Sequence, residues 1–249
     1  ALAISGVLAF SGQAVADTLG TIAATISFPA DTDTHNITTV PGLGGAGRAG
    51  LANGTESDPQ WNFFPSPDGS FLAWCLEPQE TLATTETPNI YKVETLEHAP
   101  QKGNGFRMSI AGLSGVSGNS RADDMRRLVG GGFDFRTGSF SNISKNLTDA
   151  DLFTAFQVAV WEIANEDTAT AYDVERGGFK RTGGGGDNWT NVATQASYWL
   201  SNLGNYTPDN TLLALVDDGD QDFLVSAVPI PAAAWLFGSA MVGAVVLGR

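Results

Sequence analysis

The stretch Thr148-Asp-Ala-Asp-Leu-Phe-Thr-Ala-Phe-Gln-Val-Ala-Val-Trp-Glu-Ile-Ala constrains the fold more than any other part of the chain. Thr148 as N-cap with Asp151 at the third helical position opens a helix, after which Leu152, Phe153, Phe156, Val160 and Ile163 recur at helical spacing. The pattern predicts a helix from Asp149 to Ala164. On it Phe153, Gln157, Trp161 and Ala164 share one stripe. Gln157 therefore sits on an otherwise apolar face. A buried carboxamide with unmet hydrogen bonds costs roughly 1 to 3 kcal/mol, so Gln157 needs a partner.

The residue to weigh beside it is Cys75, the only cysteine among 249 residues. Phe71-Leu-Ala-Trp-Cys-Leu76 is rich in strand formers and is bounded by Pro65 to Gly69 and by Pro78, which predicts a strand. Its period of two places Ala73, Cys75 and Glu77 on one face and Leu72, Trp74 and Leu76 on the other. Glu77 is then a neighbour of the thiol and a group able to take its proton. Exported chains use cysteines in pairs, and one cysteine cannot pair within its own chain.

Two more helices are expected. Ser120 caps Arg121 to Val129, whose apolar stripe stops at Gly130-Gly-Gly132, and Asp187 or Asn188 precedes a helix ending near Leu203. Thirty glycines and many Asn, Asp, Ser and Thr residues punctuate short apolar runs elsewhere, a pattern of strands and long loops. The expected class is α+β, in one globular unit. Residues 177 to 187 read as a flexible loop. The formal charge of -14 opposes binding to a phosphate backbone, so nucleic acid is not an expected partner.

The ends are read as export and sorting signals. Residues 1 to 16 form an apolar stretch closing on Ala14-Val15-Ala16, a small-x-small site for a signal peptidase, with cleavage expected before Asp17. No initiator methionine or basic segment precedes it, so the chain is expected to be clipped at its start. Near the other end, Ala232 to Leu247 is a run of sixteen uncharged residues, short of the ~20 of a straight span but compatible with a tilted one. Trp235 suits the outer interface and Arg249 the cytoplasmic side. Val228-Pro229-Ile-Pro231-Ala-Ala-Ala-Trp235-Leu-Phe-Gly238-Ser239, the apolar run and Arg249 resemble the PEP-CTERM sorting signal of Gram-negative bacteria. The resemblance implies recognition by an exosortase and transient anchoring in the inner membrane. Cleavage near Pro229 to Pro231 and delivery to the cell surface or extracellular matrix would follow. The single arginine, where a cluster is usual, implies clipping here too. The expected organisation is thus a signal peptide over 1–16, a domain over 17–227 and a sorting signal over 228–249.

The aromatic-Cys-Leu-acid element at Trp74 to Glu77, the aromatic-Gln-x-Ala-x-Trp-Glu run at Phe156 to Glu162 and the helix carrying Trp199-Leu200 resemble thioester-forming domains. The tail Gln221-Asp-Phe-Leu-Val225 resembles members of that group found in PEP-CTERM proteins. The resemblance implies a β-sandwich or barrel with a helical insertion, with Cys75 and Gln157 as the bonded pair and Trp161 as the neighbouring aromatic. Trp74 and Phe156 depart from the commoner residues at their positions but keep the site apolar. In the chemistry so implied, the Cys75 sulfur attacks the Gln157 carboxamide carbon and ammonia leaves. Trp74, Phe156 and Trp161 would keep water from the product, and an amine on a surface or matrix target would later attack it. Each molecule reacts once, so an adhesin or matrix cross-linker is expected rather than a turnover enzyme. The bond would close a loop of about 80 residues, worth roughly 4 to 5 kcal/mol by the chain-entropy argument for disulfides.

Two other readings stand beside this one: a passive exopolysaccharide-matrix protein with unreacted Cys75, and a surface cysteine hydrolase. The hydrolase needs a histidine at the thiol, and only His35 and His98 exist. Two separated histidines and one cysteine do not make a structural zinc site, and no cofactor is expected. Gly42-Leu-Gly-Gly-Ala-Gly47 matches a dinucleotide-binding pattern in letters but has no helix after it, so it reads as a loop. Asp31-Thr-Asp33 and Asp217 to Asp222 lack the spacing of an EF-hand and read as solvated acidic turns.

Overall fold

The computed structural model describes residues 18–27, 34–39, 43–48, 52–56, 69–78, 88–99, 108, 112, 120–144, 146–166, 171–183, 188–217, 219 and 221–227. The segments read as signal peptide and sorting signal, including Val228, Pro229, Pro231, Trp235, Gly238, Ser239 and Arg249, lie outside them. Among the described residues no helix is long and apolar enough to cross a membrane.

The strands are β1 (Thr18–Ser27), β2 (Thr34–Thr39), β3 (Leu43–Arg48), β4 (Ala52–Glu56), β5 (Ser70–Cys75), β6 (Asn89–Glu94), β7 (Phe133–Asp134), β8 (Ser139–Phe140), β9 (Lys180–Gly183), β10 (Leu212–Val216) and β11 (Phe223–Ser226). The helices α1 (Arg121–Gly132), α2 (Asp149–Asn165) and α3 (Trp189–Ser201) fall between β6 and β10 in the chain. Six strands close into an antiparallel barrel in the order β1-β4-β5-β11-β10-β6. The fold is therefore α+β, a barrel rather than a sandwich, with the helices inserted before its last two strands.

Residues opposite one another across a ladder share a face. The partners Ile22↔Tyr91, Leu215↔Val93, Leu215↔Phe223, Phe223↔Cys75 and Ala52↔Ala73 are all buried, and they define the barrel interior. Tyr91 and Phe223 meet there edge to face at 6.1 Å. The alternate residue Trp74 faces outward, under the helices. Its ring lies 4.8 Å from Phe156 of α2 and 5.0 Å from Phe133, and Phe156 in turn lies 5.5 Å from Trp199 of α3. Each such pair adds ~0.5–1.5 kcal/mol beyond the area it buries. This aromatic cluster fixes α2 across the end of β5.

The sequence expectations hold for β5 and α2 to within a residue at each end, and Thr148 and Asp151 form the expected capping box. Three expectations are corrected. Helix α1 does not stop at Gly130 but continues through Gly132, because those glycines are sites of close approach rather than breakers. A Cβ at Gly131 would lie 2.1 Å from the Tyr206 ring, and one at Gly130 would lie 2.0 Å from the Thr207 carbonyl oxygen. The glycine run at 42–47 is largely strand: Leu43–Arg48 is β3, paired with β2, since ladder hydrogen bonds need no side chain. It is followed by β4, so no helix is present to meet a pyrophosphate. Within residues 177–187, Lys180–Gly183 is β9 and pairs with the other edge of β2. Helix α3 ends at Ser201, close to the expected Leu203, and a separate 3-10 turn, Leu203–Asn205, follows.

The C-terminal end of α2 is buried and carries charge. Arg121, at the first position of α1, donates to the Ile163 carbonyl at 2.8 Å and to the Glu166 carbonyl, satisfying carbonyls that the helix cannot. The Glu166 carboxylate accepts from Gly178 N and Phe179 N at 3.0 and 3.1 Å, and Glu162 accepts from Asp173 N at 2.7 Å. Burial pushes the Glu162 carboxyl up from 4.5 to about 9; the Asp173 N–H opposes this, the charges of Glu166 and Asp173 reinforce it, and Arg121 opposes it. An acid whose affinity for its proton is raised by folding stabilises least when ionised. Stability from this group is full below about 4.5 and falls as pH rises to about 9. Glu162→Gln should flatten that slope in denaturant titrations across the interval, and an unchanged slope would contradict the assignment.

Candidate functional site

The described register of β4 with β5 ends at Ala52↔Ala73. On the other edge Leu76 N donates to Asp222 O at 2.9 Å, so backbone groups point alternately towards β11 and away from it. Those of Cys75 point away, towards an edge with no described strand, and a buried strand edge must be satisfied by something else. Gln157 does so. Cys75 N donates to Gln157 Oε1 at 3.1 Å, and Gln157 Nε2 donates to Cys75 O at 2.7 Å. The backbone groups fix which end of the carboxamide is oxygen and which is nitrogen.

Two more carboxamides complete the pattern as the chain leaves the strand. Asn165, two turns beyond Gln157 on α2, donates to Leu76 O at 3.4 Å and to Trp161 O at 3.0 Å. Gln221, two residues before β11, donates to Glu77 O at 2.8 Å and also to the Cys75 sulfur. The thiol in turn donates to Glu77 O at 3.3 Å. Cys75 and Gln157 are each 0 % exposed.

The structure thus brings the Gln157 carboxamide to the backbone of Cys75, 82 residues away in sequence. The contact is a carboxamide bonded to the cysteine's backbone N–H and C=O, while the sulfur's own hydrogen-bond partners are Glu77 O and Gln221 Nε2. Burial pushes the Cys75 thiol well above its ordinary range, and the charges of Glu77 and Asp222 add to this. Trp161 and the Glu77 backbone act the other way. The Trp161 indole nitrogen has no partner in hydrogen-bonding geometry, so it stands near the sulfur as a poised donor rather than a bonded one.

The remaining expected site residues fall into two groups. Glu77 adjoins the thiol as expected, but the atom in contact is its backbone carbonyl. Trp74 and Phe156 make their ring contacts with each other and with Phe133, Phe140 and Phe153, in the cluster that clamps α2 onto β5. Among the described residues the sulfur has no histidine partner, and His98 meets Thr95 Oγ1 at 3.1 Å. His35 lies on β2, a strand outside the barrel. No group of His, Cys, Asp and Glu suited to a metal ion occurs among the described residues. Asp217 N donates to Asp222 Oδ1 at 2.9 Å, and Asp222 is buried rather than solvated as expected, its carboxylate drawn in beside the backbone of Asp217.

Sequence reasoning assigned no role to Gln221 or Asn165. The available signal was a polar residue at the border of an apolar run: Gln221 just before Phe223-Leu-Val225, and Asn165 just after Ile163-Ala164. Comparison with known proteins gives no match among family models, curated proteins or solved structures.

Proposed function

We propose that Cys75 and Gln157 form an internal thioester and that the chain is an exported surface or matrix protein that uses it to capture amines covalently. The observation that carries this reading is the hydrogen bond from Cys75 N to Gln157 Oε1. That N–H is aimed at the oxygen on which negative charge develops when the adjoining sulfur attacks, the geometry of an oxyanion donor. In forming the bond, the S–H and C–N bonds break, an S–C bond forms, and the thiol proton leaves with the nitrogen as ammonia. When a primary amine attacks the stored acyl group, a C–N bond forms, the S–C bond breaks, and the amine's proton returns to the sulfur. The same N–H serves both steps. Burial excludes water and holds the sulfur in a setting that disfavours its anion, so spontaneous expulsion is slow.

Delivery rests on the sequence. Ala14-Val15-Ala16 supports export, and the Val228 to Arg249 segment supports recognition by an exosortase, a transient stay in the inner membrane and release to the surface or matrix of a Gram-negative bacterium. A second reading is favoured by a specific observation: both polar atoms of the Gln157 carboxamide are already satisfied by the Cys75 backbone. A passive matrix protein with unreacted Cys75 needs nothing more. Methylamine separates the two. Thioester protein is expected to gain one methylamide, mapped by peptide mass to Gln157, and to expose one titratable thiol. No adduct on the folded protein, with the thiol titrating only after denaturation, would contradict the thioester.

A further inference from the structure

We propose that Gln221 is a catalytic residue of this site, donating a hydrogen bond to the Cys75 sulfur as it becomes the leaving group. The proposal rests on the thioester reading and names the group that the reading lacks. A buried sulfur flanked by the carboxylate-bearing residues Glu77 and Asp222 is poorly suited to accept negative charge. Yet amine capture requires the S–C bond to break with its electron pair on sulfur. Something must offset that charge from within the pocket.

Gln221 is placed to do it. Its side chain is buried, and Nε2 contacts both Glu77 O and Cys75 Sγ. Glu77 O can only accept, so the group facing it must be the NH2 end. An NH2 carries two hydrogens, one for the carbonyl and one for the sulfur. The carbonyl bond therefore anchors the amide in the orientation that points the second hydrogen at Sγ. Gln221 Oε1 has no hydrogen-bond partner, so nothing in the packing requires this residue to be a glutamine for the sake of its oxygen. The chain also gives it a fixed position: Asp222 O accepts from Leu76 N, and Phe223 pairs with Cys75. Residues 221 to 223 thus lie alongside residues 75 to 77, and the donor cannot drift from the sulfur without breaking the ladder.

The division of labour follows. Cys75 N holds the carbonyl oxygen in both the forming and the breaking step, and Gln221 Nε2 holds the sulfur when it leaves. In the free thiol the same contact orients Sγ, with the proton directed to Glu77 O.

The test compares wild type, Gln221→Leu and Gln221→Met, the second keeping the length of the side chain while removing the donor. Two readouts are taken: the first-order rate of methylamine uptake by intact mass, and the S–H Raman band of the single cysteine in a Gln157→Ala background, where the thiol is free in every case. Both variants are expected to lower the uptake rate at least about tenfold, the lower end of what one lost hydrogen bond to a charged group costs. Both are also expected to shift the S–H band. If Gln221→Leu fails to fold, Gln221→Met carries the comparison. A wild-type rate in either folded variant, or an unmoved S–H band, overturns the role of Gln221 while leaving the thioester standing. Wild type that takes up no methylamine overturns both, and a shifted band in that case assigns Gln221 to packing of an inert thiol.

Discussion

Gln157→Ala is expected to lower unfolding stability by about 3–5 kcal/mol even in molecules that never formed a thioester. The loss has three parts. Cys75 N and Cys75 O would each lose their partner in a region with no exposure, at ~1–3 kcal/mol apiece. A cavity would open beneath α2, whose middle is buried all round. Cys75→Ala isolates the other component. It leaves the backbone N–H and C=O bonded to Gln157 and removes only the sulfur, so without a thioester it costs about 1 kcal/mol or little more. With a thioester it also removes a cross-link worth up to roughly 4–5 kcal/mol. Urea titrations at unchanged slope check both. A Gln157→Ala loss below about 1 kcal/mol would show that the carboxamide does not hold β5 and α2 together.

Arg121→Met is expected to cost about 3–5 kcal/mol, because removing one member of a buried charged set leaves the rest uncompensated. The guanidinium joins the first turn of α1 to the last carbonyls of α2, and its charge opposes the rise of the Glu162 proton affinity. Methionine keeps most of the volume but neither the charge nor the donors. The cost should grow with pH, since Glu162, its carboxyl pushed up to about 9 by burial, then ionises without a counter-charge. Denaturant midpoints for the variant and wild type, measured at several pH values, check this. A loss that stays constant with pH would place the effect in packing rather than charge.

The elements that carry the site were legible because each announces itself locally. Thr148 and Asp151 cap α2, the apolar spacing gives its length, and the aromatic residues around Cys75 give a strand. That Gln157 has a polar partner was foreshadowed by its place on an apolar face, whereas Cys75 as that partner was implied only by the resemblance. What the sequence could not convey was the form of the contact. That depends on the backbone groups of Cys75 pointing away from β11, a matter of register between strands far apart in the chain. The same holds for Gln221, whose place beside the sulfur follows from the β5–β11 ladder. The glycines of α1 misled because a glycine is a breaker by propensity, and only the approach of Tyr206 and Thr207 shows why these are tolerated. Arg121 could be read only as a helix residue, since its partners come from another helix.

The central claim is that the sulfur and the carboxamide carbon react with each other, and the mass of the intact folded protein tests it most directly. The account predicts that wild type is lighter than its sequence requires by one ammonia, and that Cys75→Ala and Gln157→Ala each have the full mass of their own sequences. Wild type at full sequence mass, with Cys75 present as a thiol, would contradict it.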